Sequence, residues 1–352
     1  MKNQLYKQAI TLLKKLIETQ SFSGEEDKTA DHIIAHLNEA NITYNRVGNN
    51  IWATNLHFDS SKPSILLNSH HDTVKPNQAY TNNPYEAFEK DGKLYGLGSN
   101  DAGGCLVSLI ALFKHFYEQK DLKYNLILAA SAEEENSGNN GLRKLLPELP
   151  EIDFAIVGEP TEMNLAISEK GLLVIDAVAK GISGHAAHYN TTNAIYEAMT
   201  DIAWIQQYEF PKTSATLGKV KTTVTQINAG SQHNVVPAEC HFVIDCRVNE
   251  RYHLKEIFEI LDKNTKCELK ARSFRNNSSS IPTDHPIVKA GVELGRTTYG
   301  SPTLSDQANL SVPSLKMGPG VSTRSHQANE YIYLKEIEEG IDIYIQLLEK
   351  IM

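Results

Sequence analysis

The sequence predicts an α/β protein with a mostly parallel sheet and flanking helices, into which a ferredoxin-like α+β domain is inserted. Apolar strands alternate with helical segments in the first half of the chain, which is typical of parallel sheets. The segment 172–274 has the order β-α-β-β-α-β of a complete ferredoxin-like unit. Helices and short apolar strands return after it. We therefore expect a first domain in two parts, 1–171 and 279–352, and an inserted domain at 172–278.

Periodicity of the apolar residues predicts the individual elements of both domains. In the first domain we predict helices at 4–20, 105–119, 140–146 and 334–351, a helix ending near 39, and strands at 50–55, 126–132, 154–157 and from 64 onward. In the inserted domain we predict strands at 172–180, 216–228, 239–248 and 267–274, and helices at 191–208 and 252–261. Ser23 and Glu26, three residues apart, indicate a capping box before the second helix.

Size and charge limit the class of protein. A chain of 352 residues favours two domains, and a hydrophobic content of 41% with a charged content of 22% is ordinary for a soluble globular protein. The formal net charge of −9 disfavours the phosphate backbone of nucleic acids and anionic lipid surfaces as partners. We therefore expect neither a nucleic-acid partner nor a membrane partner.

Cysteine usage and the N-terminal sequence indicate a cytoplasmic protein. The four cysteines form no Cys-x-x-Cys pair, which argues against a thiolate zinc knuckle, and their scatter suits a reducing compartment. Lys7, Lys14 and Lys15 interrupt the first apolar positions, so we expect no signal peptide. The apolar run 106–113 is too short to span a bilayer.

Polar side chains follow three of the predicted apolar strands at the point where each strand ends. The first strand runs into His70 and Asp72, the second into Glu134 and Glu135, and the third into Glu159. Taken alone, the first pattern is more simply explained as a polar turn, and the acidic triplet that contains the second is equally well explained as a solvated loop. Because parallel strands end at a shared edge of a sheet, we expect these groups to converge there.

An intervening glycine-rich turn supplies Asp101, and a late segment supplies His326. The plain alternative for Asp101 is helix capping, worth about 0.3–1 kcal/mol. The turn has no Walker Lys-Ser/Thr, which excludes a phosphate loop. Two imidazoles and three carboxylates suit zinc or a similar divalent ion, and they fit two ions if one carboxylate bridges. The candidate metal ligands are His70, Asp101, Glu135, Glu159 and His326.

A spare carboxylate beside such ligands can act as a general acid and base. Two ions lower the pKa of a shared water and polarise a carbonyl, and another group then carries the proton to the leaving nitrogen. Adjacent residues at a strand end point in different directions, so one of Glu134 and Glu135 can bind metal while the other faces the water. No Gly-x-Ser-x-Gly motif or Cys-His arrangement indicates a covalent nucleophile.

These motifs as a set resemble a known family. The pattern comprises Ser-His-x-Asp-x-Val at 69–74, Gly-x-Gly-x-x-Asp-x-x-Gly at 96–104, Glu-Glu, Gly-Glu-Pro-Thr at 158–161, Gly-His-Ala-Ala at 184–187 and a late His. It resembles the zinc-dependent amidohydrolases that include acetylornithine deacetylase, succinyl-diaminopimelate desuccinylase, aminoacylases and carboxypeptidase-G-type enzymes. The segments 317–320 and 326–331 are most similar to the acetylornithine deacetylase branch.

The resemblance implies a role for each candidate at the strand ends. It implies that Asp101 bridges two zinc ions, for which Co²⁺ can substitute. By the same resemblance, His70 and Glu159 complete the ligands of one ion, and Glu135 and His326 those of the other. It also implies that Glu134 is the general acid and base and that Asp72 orients the imidazole of His70.

The resemblance also implies roles in the inserted domain, as a lid and as the surface of a homodimer. His185 would reach the site of a partner subunit and stabilise an oxyanion, and Asn234 and Arg247 would bind substrate. A solvated strand face is an equally good account of Arg247. Arg324, just before the late His, is a further candidate for a substrate carboxylate or acyl group.

The expected function is removal of an N-acyl group, acetyl or succinyl, from an amino acid. The preferred substrates are N-acyl ornithine or citrulline in arginine biosynthesis. A di- or tripeptidase of the same mechanism and a non-catalytic metal-binding relative are the alternatives. Two departures from the family pattern, Gly103 in a position that often holds Lys and Asn136 in one that often holds Gly, leave every ligand in place but affect the choice of substrate.

Overall fold

A computed structural model describes residues 2–352 of the chain. The helices are α1 (Lys2–Ile17), α2 (Asp27–Glu39), α3 (Gly104–Phe116), α4 (Leu142–Leu145), α5 (Ala194–Gln207), α6 (Leu254–Asn264), α7 (Pro286–Glu293) and α8 (Leu334–Glu349). None of them is long and apolar enough to cross a membrane, over residues 2–352.

The strands lie between these helices in both halves of the chain. They are β1 (Asn45–Val47), β2 (Asn50–Thr54), β3 (Ser64–His70), β4 (Phe88–Lys90), β5 (Lys93–Tyr95), β6 (Asn125–Ser131), β7 (Phe154–Val157), β8 (Leu165–Glu169), β9 (Gly171–Lys180), β10 (Gly184–His185), β11 (Lys221–Ala229), β12 (Val235–Val236), β13 (Glu239–Val248), β14 (Glu268–Ala271), β15 (Ser279–Ser280), β16 (Thr298–Ser301), β17 (Ser314–Lys316) and β18 (Tyr331–Tyr333).

The chain forms two compact units. The larger comprises the chain up to Ile167 together with Ser280–Tyr299 and Ser305–Met352. The smaller comprises Ser168–Ser279 and Gly300–Leu304. The chain enters the smaller unit at 167–168 and leaves it at 279–280, with a brief return at 300–304, so the smaller unit is an insertion into the larger one.

The main sheet confirms the predicted mostly parallel arrangement. Its order is β1-β2-β6-β3-β7-β17-β8-β15, with β16 paired to β8. Strands β6, β3, β7 and β17 are parallel neighbours, whereas β2 runs antiparallel to β6. Every residue of β3, β6 and β7 is buried. This explains why these strands are continuous apolar runs rather than alternating ones.

Helices on the main sheet take their position from their apolar faces. Every residue from Gly104 to Phe113 of α3 is buried, and this helix packs between α1 and α8.

The capping box predicted before α2 is wrong, because Glu26 makes no side-chain cap bond to the helix. Instead the Ser23 hydroxyl donates to Asp72 at 2.7 Å, and Glu26 accepts the backbone N–H of Glu133 at 3.1 Å.

The smaller unit confirms the ferredoxin-like prediction. Its elements follow the order β9-α5-β11-β13-α6-β14, and the antiparallel sheet has the order β11-β13-β9-β14. Alternate residues of β13, such as Phe242, Ile244 and Cys246, are buried against α5 and α6. The period of two along β13 therefore corresponds to one covered face of this sheet.

Candidate metal centre

The carboxyl ends of β3, β6 and β7 lie at one edge of the main sheet. In the parallel ladders, His70 at the end of β3 is opposite Ser131 at the end of β6, and Asn68 is opposite Val157 at the end of β7. The acidic residues that follow β6 and β7 therefore emerge beside His70. The convergence expected from the sequence is what the fold produces.

A first group of side chains surrounds the imidazole of His70. Its Nε2 lies 3.5 Å from Asp101 Oδ1, 3.7 Å from Glu159 Oε1 and 3.9 Å from Glu134 Oε2. One ligand atom each from His70, Asp101 and Glu159 lies within 4.8 Å of the others. This spacing is compatible with a common ion at the centre of the three.

A second group shares Asp101 with the first. His326 Nε2 lies 3.0 Å from Glu135 Oε2 and 3.5 Å from Asp101 Oδ2. The two carboxylate oxygens of Asp101 thus face different imidazoles, Oδ1 toward His70 and Oδ2 toward His326. This is the geometry that a bridging carboxylate between two ions requires.

The state of His70 tests whether these residues fit a metal ion. Its Nδ1 lies 3.0 Å from the backbone oxygen of Asp72, so this nitrogen carries a proton and Nε2 is the nitrogen available to a metal ion. Nε2 is buried and has no hydrogen-bond partner. A buried ring nitrogen left without a partner amid carboxylates fits a divalent cation in the gap between them.

The pKa values of the acids and of His326 also indicate a cation site. Burial and the neighbouring charge of Asp101 raise the pKa of Glu159 to about 8. Burial raises the pKa of Glu134 well above the usual carboxyl range; Glu159 and Asp306 add to this rise, whereas His70 opposes it. The hydrogen bond to Glu135 raises the pKa of His326 to about 9. A bound cation would offset the repulsion among these carboxylates.

Asp72 contacts both His70 and the turn that carries Glu134 and Glu135. Its Oδ1 lies 3.4 Å from His70 Nδ1, so the closer partner of that nitrogen is the backbone oxygen of Asp72, not its carboxylate. The carboxylate instead accepts the backbone N–H groups of Glu134 and Glu135, each at 3.1 Å. It thereby holds the turn that presents both glutamates.

Two buried acids at this edge were missed from the sequence. Asp306 accepts the Ser131 hydroxyl at 2.6 Å and the Asn309 amide at 3.0 Å, and burial raises its pKa to about 6. Glu330 accepts backbone N–H groups of the turn that carries Asp101. Only its spacing of four residues from His326 could have drawn attention to Glu330, and Asp306 lies in a polar stretch with no such signal.

The candidates in the smaller unit are described within that unit. His185 in β10 is opposite Val235 in β12, and the Ala186 N–H donates to the Asn234 oxygen at 3.0 Å, so His185 and Asn234 lie on paired segments. His185 is exposed. Arg247 donates to the carboxylate of Asp245 through two nitrogens, at 2.9 and 3.1 Å.

Arg324, in the larger unit, has its guanidinium engaged already. Its two terminal nitrogens donate to the carboxylate of Glu336 at 2.7 and 3.0 Å. The guanidinium carbon also lies 4.7 Å from the ring centre of Tyr331 and 5.1 Å from that of Tyr333. A substrate carboxylate at Arg324 would have to compete with Glu336.

Similarity to known proteins extends over almost the whole chain. Residues 66–350 match the family described as peptidase family M20/M25/M40. The chain is 26% identical to a succinyl-diaminopimelate desuccinylase of Psychromonas ingrahamii, covering 97% of this chain and 98% of that protein. It is 27% identical to an acetylornithine deacetylase of Proteus mirabilis, covering 97% of this chain and 96% of that one.

A solved structure with the same fold has a metal in its description. It is a Bacillus subtilis protein described as a dinuclear metal-binding peptidase of the M20 family. The TM-score is 0.72 at 17% identity, with coverage of 98% of each chain. The family match, the parallel sheet edge and the shared carboxylate together lead to one assignment: this chain belongs to the M20/M25/M40 peptidase family and is a metal-dependent hydrolase.

Proposed function

We propose that this protein hydrolyses the amide bond of an N-acyl amino acid, acetyl or succinyl, with two zinc ions per subunit. The observation that carries the proposal is Asp101, whose two carboxylate oxygens face His70 and His326. One ion would be held by His70, Asp101 and Glu159, and the other by Asp101, Glu135 and His326. Zinc suits this mixture of imidazole and carboxylate ligands, and Co²⁺ is a suitable substitute.

The protein's own residues supply the proton transfers and the orientation. Two ions of this kind would polarise the amide carbonyl and lower the pKa of a nearby water. Glu134 takes the proton of the attacking water and delivers it to the leaving nitrogen. Its position supports this role, because Oε2 lies 3.9 Å from His70 Nε2, beside the first group of candidate ligands. Asp72 fixes the backbone beneath it.

The substrate class rests on relatives and on two side chains of the smaller unit. Both the desuccinylase and the deacetylase act on N-acyl groups of amino acids according to their names. We propose N-acyl ornithine or citrulline, in arginine biosynthesis, as the substrate. Asn234 and Arg247 would bind this substrate. The α-carboxylate of the substrate would compete with Asp245 for the guanidinium of Arg247. Arg324 is the weaker candidate because Glu336 already occupies both of its terminal nitrogens.

A peptidase is the second candidate function. The observation that favours it is the B. subtilis structure, whose description names a peptidase. A screen that follows amine release from N-acetyl and N-succinyl amino acids and from dipeptides distinguishes the two. Turnover of the N-acyl amino acids is expected, and faster turnover of dipeptides would favour the peptidase. Activity that survives removal of metal by a chelator would contradict both.

We further propose a cytoplasmic homodimer formed through the inserted domain predicted at 172–278, which lies within the smaller unit. Apolar side chains are exposed on α5 and on β11, among them Tyr196, Met199 and Ile227. β11 is also an edge strand of its sheet, and edge strands with free hydrogen-bonding groups favour pairing with another copy. In such a dimer His185 would stabilise the oxyanion in the site of the partner subunit.

The assignment of Glu134 has a direct test. Glu134→Gln is expected to lower kcat by about 10²–10⁴-fold, because an amide cannot accept the proton. Bound metal, counted by elemental analysis, is expected to stay at the wild-type level. Turnover equal to that of the wild type would contradict the assignment and would be the result expected for a different base.

Glu133→Gln is the matched control. Glu133 belongs to the same acidic triplet, but its carboxylate accepts from the backbone and side-chain nitrogens of Asn140, at 2.9 and 2.8 Å. Its replacement is expected to leave kcat within a few-fold of the wild type. Equal losses in the two variants would mean that the turn, and not the Glu134 carboxylate, determines the rate.

A further inference from the structure

A buried carboxylate next to the metal centre binds backbone and not metal. Glu330 is 2% exposed. Its Oε1 accepts the N–H groups of Asn100 at 2.8 Å and Asp101 at 2.9 Å, and its Oε2 accepts the N–H of Gly98 at 3.2 Å. All three donors belong to the turn that leads into α3 and carries Asp101. The carboxylate of Glu330 is therefore hydrogen-bonded directly to the backbone of that turn.

These N–H groups would otherwise lack partners. They lie in the irregular turn before α3, where Asp101 has a non-helical backbone conformation (φ −117°, ψ 100°), so a regular helical ladder does not supply their acceptors. A water molecule could satisfy the same donors at an exposed site, but this position is closed to solvent. The carboxylate thus fixes the path of the backbone at Asp101, whose own side chain stands between His70 and His326.

The other end of this contact lies on the segment that carries His326. Glu330 follows His326 by four residues, and its backbone oxygen accepts the N–H of Gly96 at 3.0 Å. A second tie joins the same two segments: the Asn100 side chain accepts the N–H of Val321 at 3.0 Å and donates to its oxygen at 3.2 Å. These hydrogen bonds therefore fix the position of the turn with Asp101 relative to the segment with His326.

We propose that Glu330 is a positioning residue of the metal centre, which sets the place of the Asp101 carboxylate relative to His70 and His326. It touches neither ion nor substrate, and it acts through the backbone of Asn100 and Asp101. The inference rests on the proposed metal site. It goes beyond that proposal because it gives a role to a buried acid that is not a metal ligand. That acid would determine the spacing between the two groups of ligands.

Glu330→Gln tests the role. Glutamine has the same shape, but one oxygen becomes an NH₂ group that meets backbone donors where an acceptor stood. We expect the affinity of the metal-free protein for Zn²⁺, measured by isothermal titration calorimetry, to fall by about 10–100-fold, as for other groups that orient metal ligands. We also expect the visible absorption spectrum of the Co²⁺-loaded variant to differ from that of the wild type, because the ligand geometry changes.

Asp201→Asn is the matched control for a purely structural effect. Asp201 is 5% exposed and accepts two backbone N–H groups, of Lys266 at 3.0 Å and Cys267 at 2.8 Å, within the smaller unit. Its replacement is expected to lower Tm as Glu330→Gln does, but to leave Zn²⁺ affinity and the Co²⁺ spectrum unchanged. A loss of affinity in Asp201→Asn equal to that in Glu330→Gln would overturn the positioning role.

The outcomes separate this inference from the proposed function. A wild-type protein that binds no Zn²⁺ would overturn the proposed function itself. A wild type that binds two ions, with Glu330→Gln binding them equally well, would overturn only the role of Glu330. If Glu330→Gln does not fold, Glu330→Asp carries the test: its shorter side chain withdraws the carboxylate from the turn, so weaker Zn²⁺ binding supports the role and wild-type binding overturns it.

Discussion

At the scale of single residues, the buried acids of this sheet edge divide into two kinds. Asp101 and Glu135 direct their oxygens at imidazole nitrogens, whereas Asp72, Glu26 and Glu330 accept backbone N–H groups. The first kind can hold a cation, and the second kind holds the turns that carry the first. Backbone donors satisfy the oxygens of the second kind without a cation. We therefore expect the second kind to position the turns that carry the candidate ligands.

Asp72→Asn tests this division at the turn that carries Glu134 and Glu135. Asparagine replaces one acceptor oxygen by a donor, so one of the two backbone N–H groups loses its partner. We expect kcat/KM for the best substrate of the amine-release screen to fall by about 10–100-fold. Steady-state kinetics of the metal-saturated protein measure this.

Asp153→Asn provides the comparison. Asp153 accepts the N–H of Ser64 at 2.7 Å, at the opposite end of β3 from His70. Its carboxylate has the same kind of partner but lies away from the candidate centre. We expect activity near that of the wild type, and an equal loss in both variants would refute a specific role for Asp72.

At the scale of secondary-structure elements, α2 and α3 contain a titratable contact that is remote from the centre. His36 of α2 is buried, and the ammonium of Lys114 in α3 donates to its Nε2 at 3.0 Å. Burial, followed by the charges of Lys114 and Lys15, lowers the pKa of His36 to about 4. The imidazole must be neutral to accept this hydrogen bond, so this contact between α2 and α3 requires a pH above the pKa of His36.

The stability of the fold is therefore expected to depend on the protonation of His36. Between pH 6.5 and about 4 the unfolded chain binds a proton at this residue and the folded chain does not, so the free energy of unfolding falls as pH falls. The contribution is present above pH 6.5 and amounts to no more than about 4 kcal/mol, at about 1.4 kcal/mol per pKa unit between 6.5 and about 4. Urea unfolding of the metal-free protein at several pH values measures it.

Two variants isolate this contribution. His36→Gln removes the titratable group, so its free energy of unfolding should decline less than that of the wild type over the same pH range. His57→Gln, at an exposed position, should retain the wild-type dependence. Parallel curves for His36→Gln and the wild type would show that other groups cause the acid sensitivity.

At the scale of the whole molecule, the two compact units carry different parts of the proposed chemistry. The larger unit contains every candidate metal ligand and Glu134, whereas His185, Asn234 and Arg247 belong to the smaller one. In the proposed dimer, a site would then take Glu134 from one subunit and His185 from the other. This arrangement makes a prediction that no single variant can test.

Mixing inactive variants tests the exchange between subunits. Glu134→Gln and His185→Ala are each expected to have low activity alone. After unfolding together and refolding at equal amounts, one site of each mixed dimer is intact, so about a quarter of wild-type activity should return for a symmetric dimer. A mixture no more active than the separate variants would place His185 in the site of its own subunit, and a monomeric mass would refute the dimer.

The sequence by itself determined the fold class and the candidate metal ligands. Continuous apolar runs such as 65–67 and 126–130 predicted parallel strands, and β3 and β6 are parallel neighbours. Strand polarity then placed His70, Glu135 and Glu159 at one edge. Local patterns suffice for this because burial on both faces and the shared direction of the strands are both encoded in short segments.

Only the tertiary structure decided which groups each acid contacts. The capping pattern of Ser23 and Glu26 was misread, because both side chains reach residues far along the chain, Asp72 and Glu133. Glu330 could not be assigned, because its partners in the turn with Asp101 are about 230 residues away. The role of a buried carboxylate depends on the groups that it contacts. Those groups come together only when the strands and turns have folded.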